Sequence, residues 1–298
     1  MVELNEQSND QNSLLFNKNL KFNSKPTDID FSNTILEIEV LNSSTIATGT
    51  KIKINKDGLI SGSLRNKKDQ ITYFGYTDDN VNNTINEDNS LDYALPKRHN
   101  EKIGRYFKIE FKKESNEFYI KDLGNNNLGT FIKIDNIIGL RDNTMINIGD
   151  SYLVCYFGDS FDETENESIK VELVNGKNLH GKGYKLKVKL FDKNNLTEQK
   201  EFIFDKNQKI IHIGRKKHGN QIELDDNLAS KTNTTIEYDS RIGWTIKDGD
   251  EIIKNNGDKK RVYSTNGTWI LAVENTKIYE GLIFKINFNL FRCSFTKI

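Results

Sequence analysis

Proline is nearly missing from this chain of 298 residues, which holds two, beside two cysteines, two methionines and two tryptophans. Cys155 and Cys293 are too few for a disulfide framework, and no Cys/His spacing resembles a metal cage. No apolar run approaches the roughly 20 residues that a bilayer-crossing helix needs. Net charge is missing too: 43 basic and 43 acidic side chains cancel, so no global field draws the chain to nucleic acid or to a membrane. The start, MVELNEQSNDQNSLLF, has no basic segment followed by an apolar one, so no secretory signal is expected. The expected setting is intracellular and cytoplasmic, with a cytoskeletal, ciliary or nuclear place left open. Catalytic signatures are also lacking. There is no Gly-x-Ser-x-Gly, no P-loop, no His-Glu-x-x-His and no Cys-x-x-Cys. His180-Gly181-Lys182-Gly183 neither follows a strand nor opens a helix. The expectation is a protein that is not an enzyme and takes no cofactor or metal.

What is present is a period of two. Leu36, Ile38 and Val40 alternate with Glu37 and Glu39, Phe107, Ile109 and Phe111 with Lys108 and Glu110, and Leu186, Val188 and Leu190 with Lys187 and Lys189. One apolar and one charged face describes antiparallel strands covered on one side. Short Asn, Asp and Gly clusters between them predict an all-β sandwich or barrel. There is also an internal repeat. Gly129-Thr130 and Gly267-Thr268 lie 138 residues apart, as do Cys155 and Cys293, each in the last strand-like segment of its half. Phe74-Gly75-Tyr76 and Ile213-Gly214-Arg215 lie 139 apart. The expected organisation is an extended or disordered arm over 1–32, a first β domain over 33–158, an acidic linker over 159–168 and a second β domain over 169–298.

The second repeat carries three short blocks in order: Ile213-Gly214-Arg215, then Ser230-Lys231-Thr232-Asn233, then Ser264-Thr265-Asn266-Gly267-Thr268-Trp269. These suit an anion. A guanidinium donates paired hydrogen bonds to a phosphate, and a short hydroxyl on a tight turn adds another donor. A carboxamide holds a peptide backbone through both its acceptor and its donors. The blocks resemble those of the forkhead-associated (FHA) family, β-sandwiches that bind phosphothreonine peptides on the loops at one end. The resemblance implies two FHA-type antiparallel sandwiches in tandem. It implies phosphopeptide contacts from Arg215, Ser230, Lys231, Thr232, Ser264, Thr265 and Asn266, supported by Gly214, Asn233, Gly267 and Thr268. The basic runs Arg215-Lys216-Lys217-His218 and Lys259-Lys260-Arg261 are read either as a cationic rim or as solvated loops. Trp244, Trp269 and His212 sit in strand patterns and are expected to be structural.

The first repeat keeps the framework and loses the chemistry. Tyr76 stands where the arginine would, Pro96-Lys97-Arg98-His99 replaces the serine block, and Asn126-Asn127-Leu128-Gly129-Thr130 replaces the asparagine turn. Pro96 also lacks a backbone donor. A polar insert from Thr77 to Asp92 decorates this repeat. The expected function is therefore a protein-interaction module, with the second domain reading phosphothreonine on a partner and the first serving as scaffold. The alternative is a phosphate-independent structural subunit of a large cytoskeletal or ciliary assembly.

Overall fold

Alternating residues become strand wherever the sequence showed them. The computed structural model describes residues 33–65, 67–77, 90–96, 102–124, 129–158, 185–192, 195–253 and 256–297. The arm over 1–32, the linker over 159–168, Lys97, Arg98, His99, Asn126, Asn127, Leu128 and the middle of the Thr77–Asp92 insert lie outside them.

The first repeat forms β1 (Thr34–Asn42), β2 (Lys51–Asn55), β3 (Gly58–Leu59), β4 (Ile71–Tyr76), β5 (Tyr93–Leu95), β6 (Gly104–Lys112), β7 (Glu117–Asp122), β8 (Thr130–Lys133), β9 (Ile138–Gly139), β10 (Thr144–Ile148) and β11 (Ser151–Gly158). The second forms β12 (Lys185–Asp192), β13 (Asn195–Asp205), β14 (Ile210–Arg215), β15 (Ile222–Leu224), β16 (Thr234–Asp239) and β17 (Gly243–Asp248). It continues with β18 (Asp250–Ile253), β19 (Lys259–Val262), β20 (Trp269–Leu271), β21 (Thr276–Lys277), β22 (Ile283–Ile286) and β23 (Asn289–Lys297). The architecture is all-β, and among the described residues no helix is long and apolar enough to cross a membrane.

One eleven-stranded sheet runs β13-β12-β11-β10-β20-β8-β22-β23-β1-β2-β3. Two five-stranded sheets, β21-β7-β6-β4-β5 and β15-β14-β16-β17-β9, supply the opposing faces of two hydrophobic cores, and β18-β19 is a separate hairpin. Pairing is antiparallel except for β4 with β5 and β14 with β15.

The two cores do not follow the two halves of the sequence. The first contains Leu36, Ile38, Phe74, Phe107, Ile109 and Phe118 from the first repeat, closed by Ala272, Ile278, Leu282, Phe284, Ile286, Phe291 and Cys293 from the second. Phe74 stacks on Phe107 at 4.5 Å, Phe107 meets Phe284 edge-on at 5.5 Å, and Phe284 stacks on Phe291 at 4.9 Å, so one aromatic column joins both repeats. The second core contains Leu186, Val188, Ile211, Ile213, Ile236 and Trp244, closed by Ile134, Leu140, Ile146, Ile148, Leu153 and Cys155 of the first repeat. Thus β1 pairs with β23, and β12 with β11. The final strands have been exchanged between the repeats, and each core is complete only with both.

The crossover lies on β8 and β20, which pair antiparallel with Ile132 opposite Ile270, Phe131 opposite Leu271 and Lys133 opposite Trp269. Because the repeat spacing is 138, Ile132 faces its own counterpart, and the flanking pairs are two copies of one contact. That is a local two-fold axis, with an isologous interface inside a single chain. Backbone bonds obey it: Ala272 N–H donates to Thr130 O at 2.9 Å and Ile134 N–H to Thr268 O at 2.9 Å.

Candidate functional site

The three blocks of the second repeat meet at one end of the second core. Strand β14 delivers Arg215 at its last position, held by Arg215 N–H donating to Ser230 O at 2.9 Å. Gly214 permits this approach, since a Cβ there would lie 2.2 Å from Lys231 O. Asn220, buried, donates from its carboxamide to Lys231 O at 2.7 Å and Arg215 O at 3.2 Å, which ties the first two blocks together.

The Ser230 hydroxyl accepts from Thr265 N–H at 2.9 Å, and Asn266 Nδ2 donates to Leu228 O at 2.8 Å. The third block is therefore laced to the loop after β15. Beneath it lies a buried network. Asp248 Oδ1 accepts from Ser264 Oγ at 2.6 Å and Thr268 Oγ1 at 2.8 Å, while Asp248 Oδ2 accepts from Ser264 N–H at 3.2 Å. Asn233 Nδ2 donates to Thr268 Oγ1 at 3.2 Å, and Asn233 Oδ1 accepts from Ser230 N–H at 3.1 Å. Buried polar groups satisfied in this way fix loop positions rather than leaving them adaptable.

Above this floor is an open groove of about 500 Å³, lined by Arg215, Ser230, Lys231, Thr232, Thr265 and Asn266 together with Leu228, Asp250, Ile252, Val262 and Tyr263. Among the described residues, the guanidinium of Arg215 and the ammonium of Lys231 have no hydrogen-bond or ion-pair partner. A half-buried unpaired cation beside a hydroxyl and a carboxamide is arranged to receive an anion.

Six of the seven expected contact residues line this groove, and Ser264 does not. It is buried and its hydroxyl is spent on Asp248, so it braces the turn. Gly214, Asn233, Gly267 and Thr268 do not line the groove; Asn233 and Thr268 are buried in the network beneath it, and Gly267 stands at φ +79° over the Lys133 side chain. Trp244 and Trp269 are packing residues, 0% and 6% exposed. The second basic run divides. Lys259 and Lys260 are exposed, whereas Arg261 donates inward to Asp248 O at 3.0 Å and Asp135 O at 3.1 Å.

Sequence reasoning missed Asn220, Asp248 and Asp226. Asp226 Oδ2 accepts from Asp150 N–H at 2.7 Å, so the β10–β11 turn of the first repeat props the loop that carries Ser230. The signal for these residues is slight, because Asp and Asn abound in every loop of this chain.

The corresponding place in the first repeat is filled from within. Tyr76 is 0% exposed, packs edge-on against Tyr106 at 4.9 Å, and accepts from the amides of Asn287 and Asn289 at 3.3 Å each. Thr130, the counterpart of Thr268, has a buried hydroxyl without a hydrogen-bond partner among the described residues. The ring thus occupies the core where the second repeat presents a cation to solvent. Comparison of the chain with protein-family models, with curated proteins and with solved structures finds no match.

Proposed function

We propose that this protein is a non-enzymatic interaction module of the FHA kind, built as two sandwiches with exchanged strands, and that the groove of the second repeat binds phosphothreonine on a partner protein. The observation that carries the reading is the Arg215 guanidinium, which among the described residues has no hydrogen-bond or ion-pair partner and lines one groove with Ser230 and Asn266. A phosphate dianion there would take charge-assisted hydrogen bonds from Arg215 and Lys231 and a further donor from Ser230 or Thr232, at roughly 1.5–3 kcal/mol each. Asn266 keeps its side-chain Oδ1 for a peptide N–H, while its backbone oxygen accepts from Trp269 Nε1 at 2.9 Å. Ordering the peptide offsets much of this, which puts the affinity on the order of micromolar.

The first repeat supports a second, complementary role. Its site position is plugged by Tyr76, so this end acts as scaffold, a block of fixed shape suited to a phosphate-independent contact within a larger assembly.

The test uses the full chain against matched peptides with threonine or phosphothreonine, read by fluorescence anisotropy, for wild type and Arg215→Ala. Binding should require the phosphate and fall at least tenfold in Arg215→Ala. Equal binding of both peptide forms by the wild type would reject the reading.

A further inference from the structure

The exchanged strands bring more than core residues to their new places. The β10–β11 turn of the first repeat, Gly149-Asp150-Ser151, closes on Asp226 of the second. Asp226 Oδ2 accepts from Asp150 N–H at 2.7 Å and from the Ser151 hydroxyl at 3.4 Å. Its other carboxylate oxygen accepts from Leu228 N–H at 2.8 Å, and its backbone oxygen from Ala229 N–H at 3.2 Å. Leu228 O in turn receives Asn266 Nδ2 at 2.8 Å, and Ala229 leads directly into Ser230, whose hydroxyl accepts from Thr265 N–H at 2.9 Å. One carboxylate thus joins a turn of the first repeat to the two loops that present Ser230, Thr265 and Asn266. Asp226 itself does not line the groove.

The turn is a fixed prop. Gly149 stands at φ +57°, a conformation that favours glycine, and a Cβ there would lie 2.4 Å from Asp226 Oδ2. Asn147, 2% exposed, donates from Nδ2 to Gly149 O and Ser151 O at 3.1 Å each, while its Oδ1 accepts from Lys285 Nζ at 2.6 Å. Both ends of that carboxamide are engaged, which holds the turn in one conformation. By the spacing of 138, Asn287, Phe288 and Asn289 are the counterparts of Gly149, Asp150 and Ser151. In the first core that turn holds Tyr76 in the buried position already described. The same exchanged turn serves a plug at one end and an open groove at the other.

Resting on the phosphothreonine reading, we propose that Asp226 is a positioning residue of the groove and that phosphopeptide binding is coupled to closure of the Gly149–Ser151 turn of the first repeat on it. The carboxylate lies outside the groove and acts through Ser230 and Asn266. Coupling is reciprocal: the factor by which the closed turn raises the affinity is the factor by which the bound peptide stabilises the closed turn. A hydrogen bond to a charged acceptor supplies about a factor of ten.

The test measures both directions on the full chain. By anisotropy with the phosphothreonine peptide, Asp226→Ala and Gly149→Ala should each bind about tenfold more weakly than wild type. Ile38→Val, which trims the first core without touching the turn, should bind as wild type does. In wild type, saturating phosphopeptide should slow hydrogen exchange at the Asp150 amide by the same factor, about tenfold, although Asp150 does not line the groove. A role limited to holding the fold would leave that amide indifferent to the peptide. Three results overturn the inference and spare the phosphothreonine reading: both turn variants keep wild-type affinity, Ile38→Val weakens binding as much as they do, or the Asp150 amide ignores a phosphopeptide that binds. Should either turn variant fail to fold, the exchange measurement on wild type decides alone. Binding that ignores the phosphate altogether overturns both.

Discussion

Cutting the backbone between β11 and β12 should leave the molecule in one piece. A protease site placed between Gly158 and Lys185 yields two fragments, each carrying the closing strands of the other's core. The N-terminal fragment gives Ile134, Leu140, Ile146, Ile148 and Leu153 to the second core, and the C-terminal fragment gives Ile278, Leu282, Phe284, Ile286 and Phe291 to the first. These ten side chains are 0–2% exposed, and at about 1.5–3 kcal/mol each they represent roughly 15–30 kcal/mol of apolar burial lost on separation. The entropic cost of association, about 4–15 kcal/mol, leaves a difference of roughly 0–26 kcal/mol across the two ranges. Even the middle of the difference corresponds to a dissociation constant at or below about nanomolar. The assay is size exclusion with light scattering at micromolar concentration after complete cleavage. A single species near the intact mass of 34.4 kDa is expected, resolving into two bands only in denaturant. Elution as two separate compact monomers without denaturant would refute the exchange, because it would mean that each repeat closes its own core.

Other outcomes follow from particular contacts. Gly214→Ala puts a methyl 2.2 Å from the Lys231 carbonyl, and because that neighbour is backbone the strain should cost about 1–3 kcal/mol in denaturant unfolding; an unchanged midpoint contradicts it. Asp248→Ala strips the acceptor from Ser264 and Thr268 together, leaving buried donors unpaired, so a loss of about 3 kcal/mol is expected by the same measurement. Burial lowers Lys285 from 10.5 to about 8, which favours its neutral form in the fold. Between those values the unfolded chain holds more protons, so wild-type stability should rise with pH across that window relative to Lys285→Met, and a flat difference would show that the amine titrates normally.

The groove was legible in the sequence to the extent that its chemistry is carried by short local blocks. Arg215 follows a glycine that must be glycine, and Ser230 and Asn266 sit on turns whose residue types are constrained, so type and spacing point at them directly. Ser264 misled because a serine two residues before an asparagine reads as a surface hydroxyl. Its inward direction is set by Asp248, sixteen positions away. The exposure of the β18–β19 hairpin was hidden for a related reason: Ile252 stands before Ile253 and Val262 before Tyr263, apolar pairs that read as strand interior, yet Ile252 is 48% and Val262 44% exposed.

The strand exchange was hidden for a deeper reason, yet one clue lay in the charges. Hydrophobic alternation fixes which face of a strand is buried, not which of two equivalent strands lies beside it. Strands β11 and β23 carry the same pattern, Leu153 and Cys155 against Phe291 and Cys293, so either could close either core. Their outward residues differ. In the observed pairing Arg292 lies opposite Glu39 with an ion pair of 2.6 Å, and Val154 lies opposite Lys189. Without exchange, the spacing of 138 would place Arg292 opposite Lys189 and Val154 opposite Glu39. Like charges directly opposite one another destabilise a sheet, whereas an opposite pair contributes roughly 0.2–1 kcal/mol. That is little against a whole core, but the two arrangements bury nearly the same apolar groups, and these burials cancel in the comparison. What remains to choose between them is the outward charge and the connection from β11, which pairs with β12, the next strand in the chain. Both favour exchange. The cores thus set how stable the molecule is, and a few surface charges help to set which repeat completes which.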